Sequence, residues 1–306
     1  MQLSVITPIY NEEENISVFI TELKKHLAQI TEDFEVIFVD DGSTDKSLEL
    51  LIDAHKNDKR YKVLSLSRNF GHQAAYTAGL EFSKGKYIVM LDADMQDPPE
   101  YIVKLYEEIN SKDLDVVYAY RTDRKEKGLK KLFIKLFHVV FSKMSSHNVP
   151  TNVGNFSIMT RQVLIALLNQ REKNRYLPGL RSFVGFKQGV INYTRPDRAF
   201  GQPKMTYRKL FNLAIDAIFS FSNIPIRICL YLGLFGITIS LIVGTYSLIS
   251  KILGIASPGW SSTLISIYLF GSIQLIFLGV LGEYVFRIYK EVQNRSTFII
   301  RKYYED

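Results

Sequence analysis

The chain has 306 residues and a single cysteine, Cys229, so its length allows one large domain or two, and an intrachain disulfide is excluded. Its formal net charge is +7, and the positive excess lies in two segments, 121–143 and 195–209, with net charges of +6 and +4. Such basic segments can attract nucleic acid. Because two long apolar stretches follow them, an anionic lipid surface or a lipid phosphate is favoured, and we expect no nucleic-acid partner.

The first half of the chain alternates between strand and helix patterns. Strands are predicted in "LSVITPIY", "FEVIFVDD", "KVLSLSR", "KYIVMLDAD" and "DVVYAYR", and helices are predicted in the segments between them. This order predicts a parallel sheet with helices on both faces. Ligands of such open sheets bind at the carboxyl ends of the strands. Polar motifs stand at four of these ends, namely "YNEEE", "DDGSTD", "RNFGH" and "DADMQD", and therefore predict a single ligand site.

The fourth strand ends in a group of three acids, Asp92, Asp94 and Asp97. Burying unpaired carboxylates is costly, so we expect a positive partner there. Two carboxylates two residues apart can both face a divalent cation, and hard oxygen ligands suit Mg²⁺ or Mn²⁺. Acids in a turn are more often solvated or cap a helix, but the neighbouring strand-end motifs favour a metal site. Asp41 can accept hydrogen bonds from a base or ribose, or shape a turn with Asp40 and Ser43 and cap the next helix.

Two stretches without a charged residue, 228–250 and 252–282, come late in the chain. A bilayer span needs about 20 apolar residues, so these stretches predict transmembrane helices over about 228–250 and 262–284, within 225–286. Buried core helices are the alternative, but they are rarely so long and so free of charge. Lysine and arginine flank the pair of stretches, whereas the connecting loop offers only Lys251.

The chain begins with a strand pattern and shows no signal peptide. We therefore expect the domain over 1–206, both termini and a tail over 287–306 on the cytoplasmic side of an inner membrane. The segment "KGLKKLFIKLFHVVFSKM" has apolar residues at helical spacing and lysines elsewhere around the helix. It predicts a basic amphipathic helix over about 127–145, which lies in the membrane interface or packs on its own domain. A second amphipathic helix is predicted over 207–224.

Four motifs carry a family resemblance. In order, "TPIYNEEENI", "VDDGSTDKS", "LSRNFGHQAAYTAGL" and "LDADMQDPPE" resemble the sugar-nucleotide-binding half of glycosyltransferase family 2. With "RPDRAFGQPK" ahead of the two apolar stretches, the chain resembles the dolichyl-phosphate-mannose synthase-like branch, in particular bacterial polyprenyl-phosphate glycosyltransferases. The resemblance covers nearly the whole chain. It implies an α/β fold of the GT-A type, a Rossmann-like nucleotide-sugar-binding domain, with a two-helix transmembrane hairpin and a possible homo-oligomer.

The resemblance also implies three groups of site residues. The residues that would bind the donor's nucleoside and sugar are Pro8, Tyr10, Glu12, Asp41, Arg68, Asp92 and Ala93. The residues that would hold the metal on the donor's diphosphate are Asp92, Asp94 and Gln96. The basic residues that would meet the lipid phosphate, or simply attract anionic headgroups, are Arg121, Arg124, Arg195, Arg198 and Lys204.

Two departures from the family pattern affect the expected chemistry. Pro203 replaces a serine of the relatives' "GxSKY" string, while Lys204 is kept. Many relatives carry an aspartate in a "DFRL"-like string, sometimes assigned as the base, where this chain has "NVGNFSIM" with Asn155. An amide cannot act as a general base. However, a phosphate monoester has a second pKa of about 6 and needs no base, so Asn155 is expected to orient the sugar or the phosphate.

The sequence therefore predicts the inverting transfer of a hexose from a UDP-sugar to undecaprenyl or another polyprenyl phosphate on the cytoplasmic membrane face. The lipid-linked sugar would serve cell-envelope glycan modification. Glucose is the first expectation for the sugar, followed by N-acetylglucosamine or galactose. One alternative is a processive polysaccharide synthase, although the chain has no "QxxRW" string. Another is a non-catalytic sugar-nucleotide sensor, an alternative that Asn155 motivates.

Overall fold

The computed structural model describes residues 1–121, 153–170, 172–173, 175–194, 224–253 and 259–305. These residues form two compact units. The first unit contains the described residues up to 194 together with 296–305, and the second contains those of 224–295. The amphipathic helix predicted over 127–145 lies outside the described residues, as does the one over 207–224 apart from its last residue.

The first unit is built on a sheet whose described strands number eight. The strands are β1 Leu3–Ile9, β2 Phe34–Asp40, β3 Tyr61–Leu66, β4 Tyr87–Met90, β5 Val116–Arg121, β6 Val153–Thr160, β7 Gln188–Tyr193 and β8 Ile300–Tyr304. Their order across the sheet is β7-β5-β6-β4-β1-β2-β3-β8. β1 to β4 are parallel, as predicted. The sheet as a whole is mixed, because β6 lies antiparallel between β4 and β5 and β8 lies antiparallel to β3.

Helices cover both faces of this sheet. They are α1 Ile16–Leu27, α2 Ser47–Asn57, α3 His72–Phe82, α4 Tyr101–Ser111, α5 Arg161–Leu168 and α6 Leu177–Phe183. Strand side chains alternate between the two faces, so Val36 and Phe38 of β2 pack with α1, α2 and α4, whereas Ile37 and Val39 pack with α3, α5 and α6. Fully burying one such side chain stabilises the fold by about 1.5–3 kcal/mol. The predicted α/β class is therefore confirmed.

The direction of β6 decides which residues reach the edge with the polar motifs. Ser157 of β6 pairs with Met90 of β4 on one side and with Tyr118 of β5 on the other. Because β6 is antiparallel to β4, its first residues lie beside the carboxyl end of β4. Asn155, far from Asp92 in sequence, is thereby placed next to the acidic strand end.

The second unit contains two long helices, α7 Ile224–Ile252 and α8 Trp260–Val292. Their most apolar windows, Cys229–Tyr246 and Leu269–Val292, have mean hydropathies of 1.8 and 1.7, so both helices are candidate membrane spans. Gly233 of α7 faces the ring of Phe277 on α8, and Gly236 faces the ring of Phe270. The later residue of α7 in these two contacts meets the earlier residue of α8. The two helices therefore pack as an antiparallel pair.

After α8 the chain returns to the first unit, where β8 pairs with β3. The carboxylate of Glu305, just beyond β8, forms ion pairs with Lys62 (3.1 Å) and Lys84. Lys62 also pairs at 2.9 Å with Glu35, whose side chain is fully buried. The segment predicted only as a cytoplasmic tail thus contributes an edge strand, which the sequence analysis did not predict.

Candidate active site

The polar loops after β1 and β2 are joined to each other by hydrogen bonds. The Asn11 side-chain oxygen accepts from the Thr44 N–H (2.8 Å), and the Ser43 hydroxyl accepts from the Asn11 N–H (3.0 Å). The Ser47 hydroxyl accepts from the Glu12 N–H at 2.9 Å. The motifs "YNEEE" and "DDGSTD" therefore form one continuous wall at the carboxyl edge of the sheet.

Asp41 connects this wall to the loop after β3. Its two carboxylate oxygens accept from the N–H groups of Phe70 (2.7 Å) and Gly71 (2.9 Å). Burial raises the pKa of Asp41, although these two hydrogen bonds act in the opposite direction. Asp40 accepts from the Ser43 N–H at 3.1 Å, so the expected turn is present. Each carboxylate oxygen has a second lone pair that can still accept a hydrogen bond from a nucleoside. Contact between Asp41 and a nucleoside therefore remains a prediction.

Gly42 lies between Asp41 and the rest of this wall, and we predict that its replacement destabilises the fold. Its φ is +71°, and a Cβ there would lie 2.6 Å from the carbonyl carbon of Arg68. Gly42→Ala is therefore expected to cost about 2 kcal/mol or more, which corresponds to a melting temperature lower by about 4–8 °C. Circular dichroism of the detergent-purified protein measures this shift. Gly185 also has a positive φ, +78°, but open space around it. Gly185→Ala should cost only about 1 kcal/mol, and equal shifts would contradict the packing argument.

The residues predicted to hold the nucleoside lie along the same wall. Pro8 is buried in β1, and Tyr10, directly after β1, is 37% exposed. Glu12 belongs to the first loop. Arg68 is exposed in the third loop, with its guanidinium 4.4 Å from the centre of the Phe70 ring. The fold thus brings these residues to one edge, while their contact with a donor remains a prediction.

Asp92, two residues after β4, has His72 as a basic partner, which is positive when its imidazole is protonated. Its Oδ1 accepts from the Tyr76 hydroxyl (2.6 Å) and lies 3.0 Å from His72 Nε2. Burial alone would raise the pKa of Asp92, but the charge and hydrogen bond of His72 and the hydrogen bond of Tyr76 lower it. Conversely, burial lowers the pKa of His72, but the charge and hydrogen bond of Asp92, together with the charges of Asp94 and Asp41, raise it overall. The motif "RNFGH" was predicted to lie at a strand end, but no sequence signal singled out His72 or Tyr76, which lie one helical turn apart on α3.

The rest of the acidic loop contains the other residues that the sequence predicts to hold a metal. Asp94 is nearly buried, and its Oδ1 accepts from the Gln96 N–H at 3.1 Å. Met95 has a φ of +58°, which turns the backbone between them, and Ala93 is buried. The Oδ2 of Asp92 accepts no hydrogen bond from described residues. Within that part of the chain no three His, Cys, Asp or Glu side chains converge as a metal cluster. Mg²⁺ is usually held by one or two protein carboxylates and substrate phosphates, so Asp92 and Asp94 as metal ligands remain a prediction.

Asn155 lies on the other side of His72, with its Nδ2 3.4 Å from His72 Nδ1. Its Oδ1 is buried and accepts no hydrogen bond in the described structure. Behind it lies Arg181, a fully buried side chain. Arg181 donates to the carbonyl oxygens of Asn155 (2.9 Å) and Gly154 (2.7 Å) and to the Ser157 hydroxyl. Arg181, which the sequence analysis also missed, thus fixes the start of β6 at the site.

Arg121, the last residue of β5, is the described member of the predicted phosphate-binding group. Its Nε donates to the Tyr193 hydroxyl at 2.7 Å, and that hydroxyl donates to Asp97 Oδ1 at 2.6 Å. No sequence signal singled out Tyr193, and Asp97 was seen only as one acid of the strand end. The other predicted phosphate-binding residues lie outside the described structure: Arg124, Arg195, Arg198 and Lys204.

A mixed α/β sheet with two acids at the carboxyl end of a central strand is the arrangement of a GT-A glycosyltransferase, as the sequence analysis predicts. Residues 4–168 match the model of the family "Glycosyl transferase family 2". The chain therefore belongs to glycosyltransferase family 2 and is a glycosyltransferase.

Relatives that match nearly the whole chain support the resemblance to bacterial polyprenyl-phosphate glycosyltransferases. The chain is 38% identical over 302 residues to an uncharacterized glycosyltransferase of Synechocystis, covering 98% of this chain and 95% of that one. It is 37% identical over 304 residues to the SfII prophage-derived bactoprenol glucosyl transferase of Shigella flexneri, covering 99% and 98%. Among solved structures, glucosyl-3-phosphoglycerate synthase of Mycobacterium tuberculosis is 17% identical, with a TM-score of 0.49 and coverage of 72% and 78%. The predicted resemblance to polyprenyl-phosphate glycosyltransferases is confirmed by the Shigella relative.

Proposed function

We propose that this glycosyltransferase transfers glucose from UDP-glucose to a polyprenyl phosphate, undecaprenyl phosphate in a bacterium, and forms a polyprenyl-phosphate glucose. The observation that carries the choice of sugar and lipid is the similarity, over 99% of the chain, to a protein named bactoprenol glucosyl transferase. The two candidate membrane helices support a lipid acceptor. The catalytic domain and both termini would face the cytoplasm.

The donor would lie along the wall formed by the loops after β1, β2 and β3. Tyr10 and Arg68 are exposed there and can contact the uracil and ribose. Asp92 and Asp94, with Gln96, would hold Mg²⁺ or Mn²⁺, which when bound would neutralise charge on the departing diphosphate. His72 and Tyr76 already occupy one oxygen of Asp92 and leave the other open to the site.

The acceptor phosphate would lie beside Arg121, whose cation faces the acidic strand end. Arginine binds phosphate with two parallel hydrogen bonds, which fixes orientation as well as position. A phosphate oxygen would form a bond to the anomeric carbon of glucose while the bond from that carbon to the diphosphate oxygen breaks. UDP leaves with the electron pair, and attack opposite the leaving group inverts the configuration.

This reaction does not require a protein base. The acceptor phosphate is largely a dianion at neutral pH because its second pKa is about 6. Asn155 cannot remove a proton, but it lies beside His72 and carries a buried carbonyl oxygen without a described partner. A sugar hydroxyl could donate to that oxygen, which supports a positioning role for Asn155.

Removal of divalent cations is expected to abolish transfer, because the carboxylates of Asp92 and Asp94 would then face the diphosphate without a cation between them. The measurement is the rate of transfer with excess EDTA, and then with Mn²⁺ or Mg²⁺ restored. Activity that persists in EDTA after dialysis against the chelator would contradict the metal role. Restored activity would also exclude irreversible denaturation as the cause of the loss.

The proposed function is tested with the full chain in detergent, undecaprenyl phosphate and radiolabelled UDP-glucose, UDP-N-acetylglucosamine or UDP-galactose. Label is expected in the organic phase from UDP-glucose, in a product carrying a single sugar. Label from another donor would correct the sugar. A growing glycan would favour the processive synthase, and donor binding without any product would favour the sensor.

A further inference from the structure

Arg121 is held from behind by a chain of hydrogen bonds with a fixed direction. An ionised carboxylate can only accept, so the Tyr193 hydroxyl must donate its proton to Asp97. The oxygen of Tyr193 is then left to accept from Arg121 Nε. Reversing either hydrogen bond would leave two acceptors or two donors facing each other. The chain from Asp97 through Tyr193 therefore favours one orientation of the guanidinium.

The charges of the hydrogen-bonded residues Asp97, Tyr193 and Arg121 favour the same arrangement. Asp97 is fully buried, and its Oδ1 lies 3.8 Å from Arg121 Nη2. Burial lowers the pKa of Arg121, but the negative charges of Asp97 and Asp92, together with Tyr193, raise it overall. Burial and the charge of Asp97 also raise the pKa of Tyr193, so its hydroxyl stays protonated. The carboxylate thus has a cation as a partner, and the cation remains a full charge at the site.

Among the described residues, none accepts a hydrogen bond from the terminal nitrogens of Arg121. The side chain is 19% exposed. A Cβ on Gly154 would lie 2.9 Å from Nη2, so the guanidinium packs against the backbone of β6 on that side. Because Tyr193 accepts from the Nε, the described residues leave both terminal nitrogens able to form two parallel bonds to a phosphate.

We propose that Asp97 and Tyr193 are positioning residues, which hold Arg121 by its Nε so that its two terminal nitrogens bind the phosphate of the acceptor lipid. This inference rests on the proposed function. It gives the acidic loop two tasks, because Asp92 and Asp94 face the donor while Asp97, three residues later, orients the cation for the acceptor. One short loop therefore connects the two halves of the reaction.

Tyr193→Phe tests the proposal with little change in shape. The ring keeps its edge contacts with Phe156 (5.7 Å) and Tyr101 (5.6 Å), and only the hydroxyl is lost. The KM for undecaprenyl phosphate is expected to rise about 10-fold or more, because a hydrogen bond to a charged group is lost and Arg121 is no longer held. The KM for UDP-glucose should stay within about 2-fold. Asp97→Asn provides a second variant and should raise the acceptor KM in the same way.

The matched control is Tyr87→Phe. The hydroxyl of Tyr87 also donates a hydrogen bond, to Asn110 at 2.8 Å. Tyr87 is the first residue of β4, so it lies at the end of the strand opposite to the site. Its variant should leave both KM values unchanged. An equal change of the acceptor KM in the Tyr193→Phe and Tyr87→Phe proteins would overturn the proposal. So would an acceptor KM that is unchanged in both single variants, Tyr193→Phe and Asp97→Asn.

A binding experiment separates this inference from the proposed function. Calorimetry in detergent measures the affinity of the full chain for farnesyl phosphate, a soluble polyprenyl monophosphate, and for UDP with Mn²⁺. Weaker farnesyl phosphate binding in Tyr193→Phe, with unchanged UDP binding, supports the inference even if the wild-type protein makes no glucosyl lipid. If the wild-type protein binds no prenyl phosphate, or the variant binds it equally well, the inference is wrong.

Discussion

Asp94→Ala is expected to lower glucosyl transfer by at least about 100-fold while the domain stays folded. Substituting an outer partner of a metal ligand already costs 10–100-fold, so removing a ligand should cost more. Asp94 lies in the loop after β4 and not within a strand, so its side chain can be shortened without breaking the sheet. The measurement is the rate of label transfer to undecaprenyl phosphate at saturating UDP-glucose, with circular dichroism as a check on folding.

Asp53→Ala is the matched control for this variant, because Asp53 is an exposed acid on α2 whose ion pair with Lys56 lies at the surface. It should retain wild-type activity. A second measurement does not depend on turnover: Mn²⁺ should strengthen UDP binding in the wild-type protein and much less in Asp94→Ala. Retained turnover in Asp94→Ala, or the same effect of Mn²⁺ on both proteins, would exclude Asp94 as a metal ligand.

Lys62→Met is expected to lower the free energy of unfolding by about 3–5 kcal/mol, because it leaves the fully buried Glu35 without its cation. For a domain of this size the melting temperature should fall by about 10 °C. Lys62 also holds Glu305 at the end of β8, so the edge strand should loosen in the same variant. Thermal unfolding followed by circular dichroism measures the first effect, and faster amide hydrogen exchange in 300–304 measures the second.

Two further variants make this prediction specific. Lys112→Met removes an exposed i,i+4 pair with Glu108 and should change stability by no more than about 0.5 kcal/mol. Adding Glu35→Gln to Lys62→Met removes the buried charge but keeps an oxygen for the Ser4 hydroxyl and the Lys84 N–H. The double variant should recover much of the lost stability. If it is no more stable than Lys62→Met alone, the unpaired charge is not the cause.

The sequence predicts the features of this fold that depend on local pattern. The alternation of strand and helix identifies β1 to β5, and the rule that ligands bind at strand ends brings four polar motifs to one edge. Each of these conclusions depends on residues that are close in the chain. Asp41, Asp92 and Asp94 were singled out in this way, because each lies within four residues of the end of a buried strand.

The features that sequence reasoning missed depend on distant pairing. Nothing within "NVGNFSIM" indicates that Ser157 lies between Met90 and Tyr118, so the neighbours of Asn155 could not be inferred. The contact between His72 and Asp92 spans 20 residues and depends on how α3 packs on the sheet. Tyr193 meets Arg121 across a separation of 72 residues. Such contacts follow from the topology of the sheet, which the local pattern does not specify.

The return of the chain at β8 has a topological consequence. β7 and β8 belong to the same sheet, and the chain between them passes through the second unit. A bilayer cannot separate two strands of one sheet, so this excursion must cross any membrane an even number of times. Among the described residues, crossings by both α7 and α8 satisfy this parity, whereas a crossing by one of these helices alone does not. β3 and β8 are joined by only four residue pairs, three of them consecutive and the fourth between Leu66 and Ile300. This short pairing therefore constrains how many times the helices of the second unit can cross a membrane.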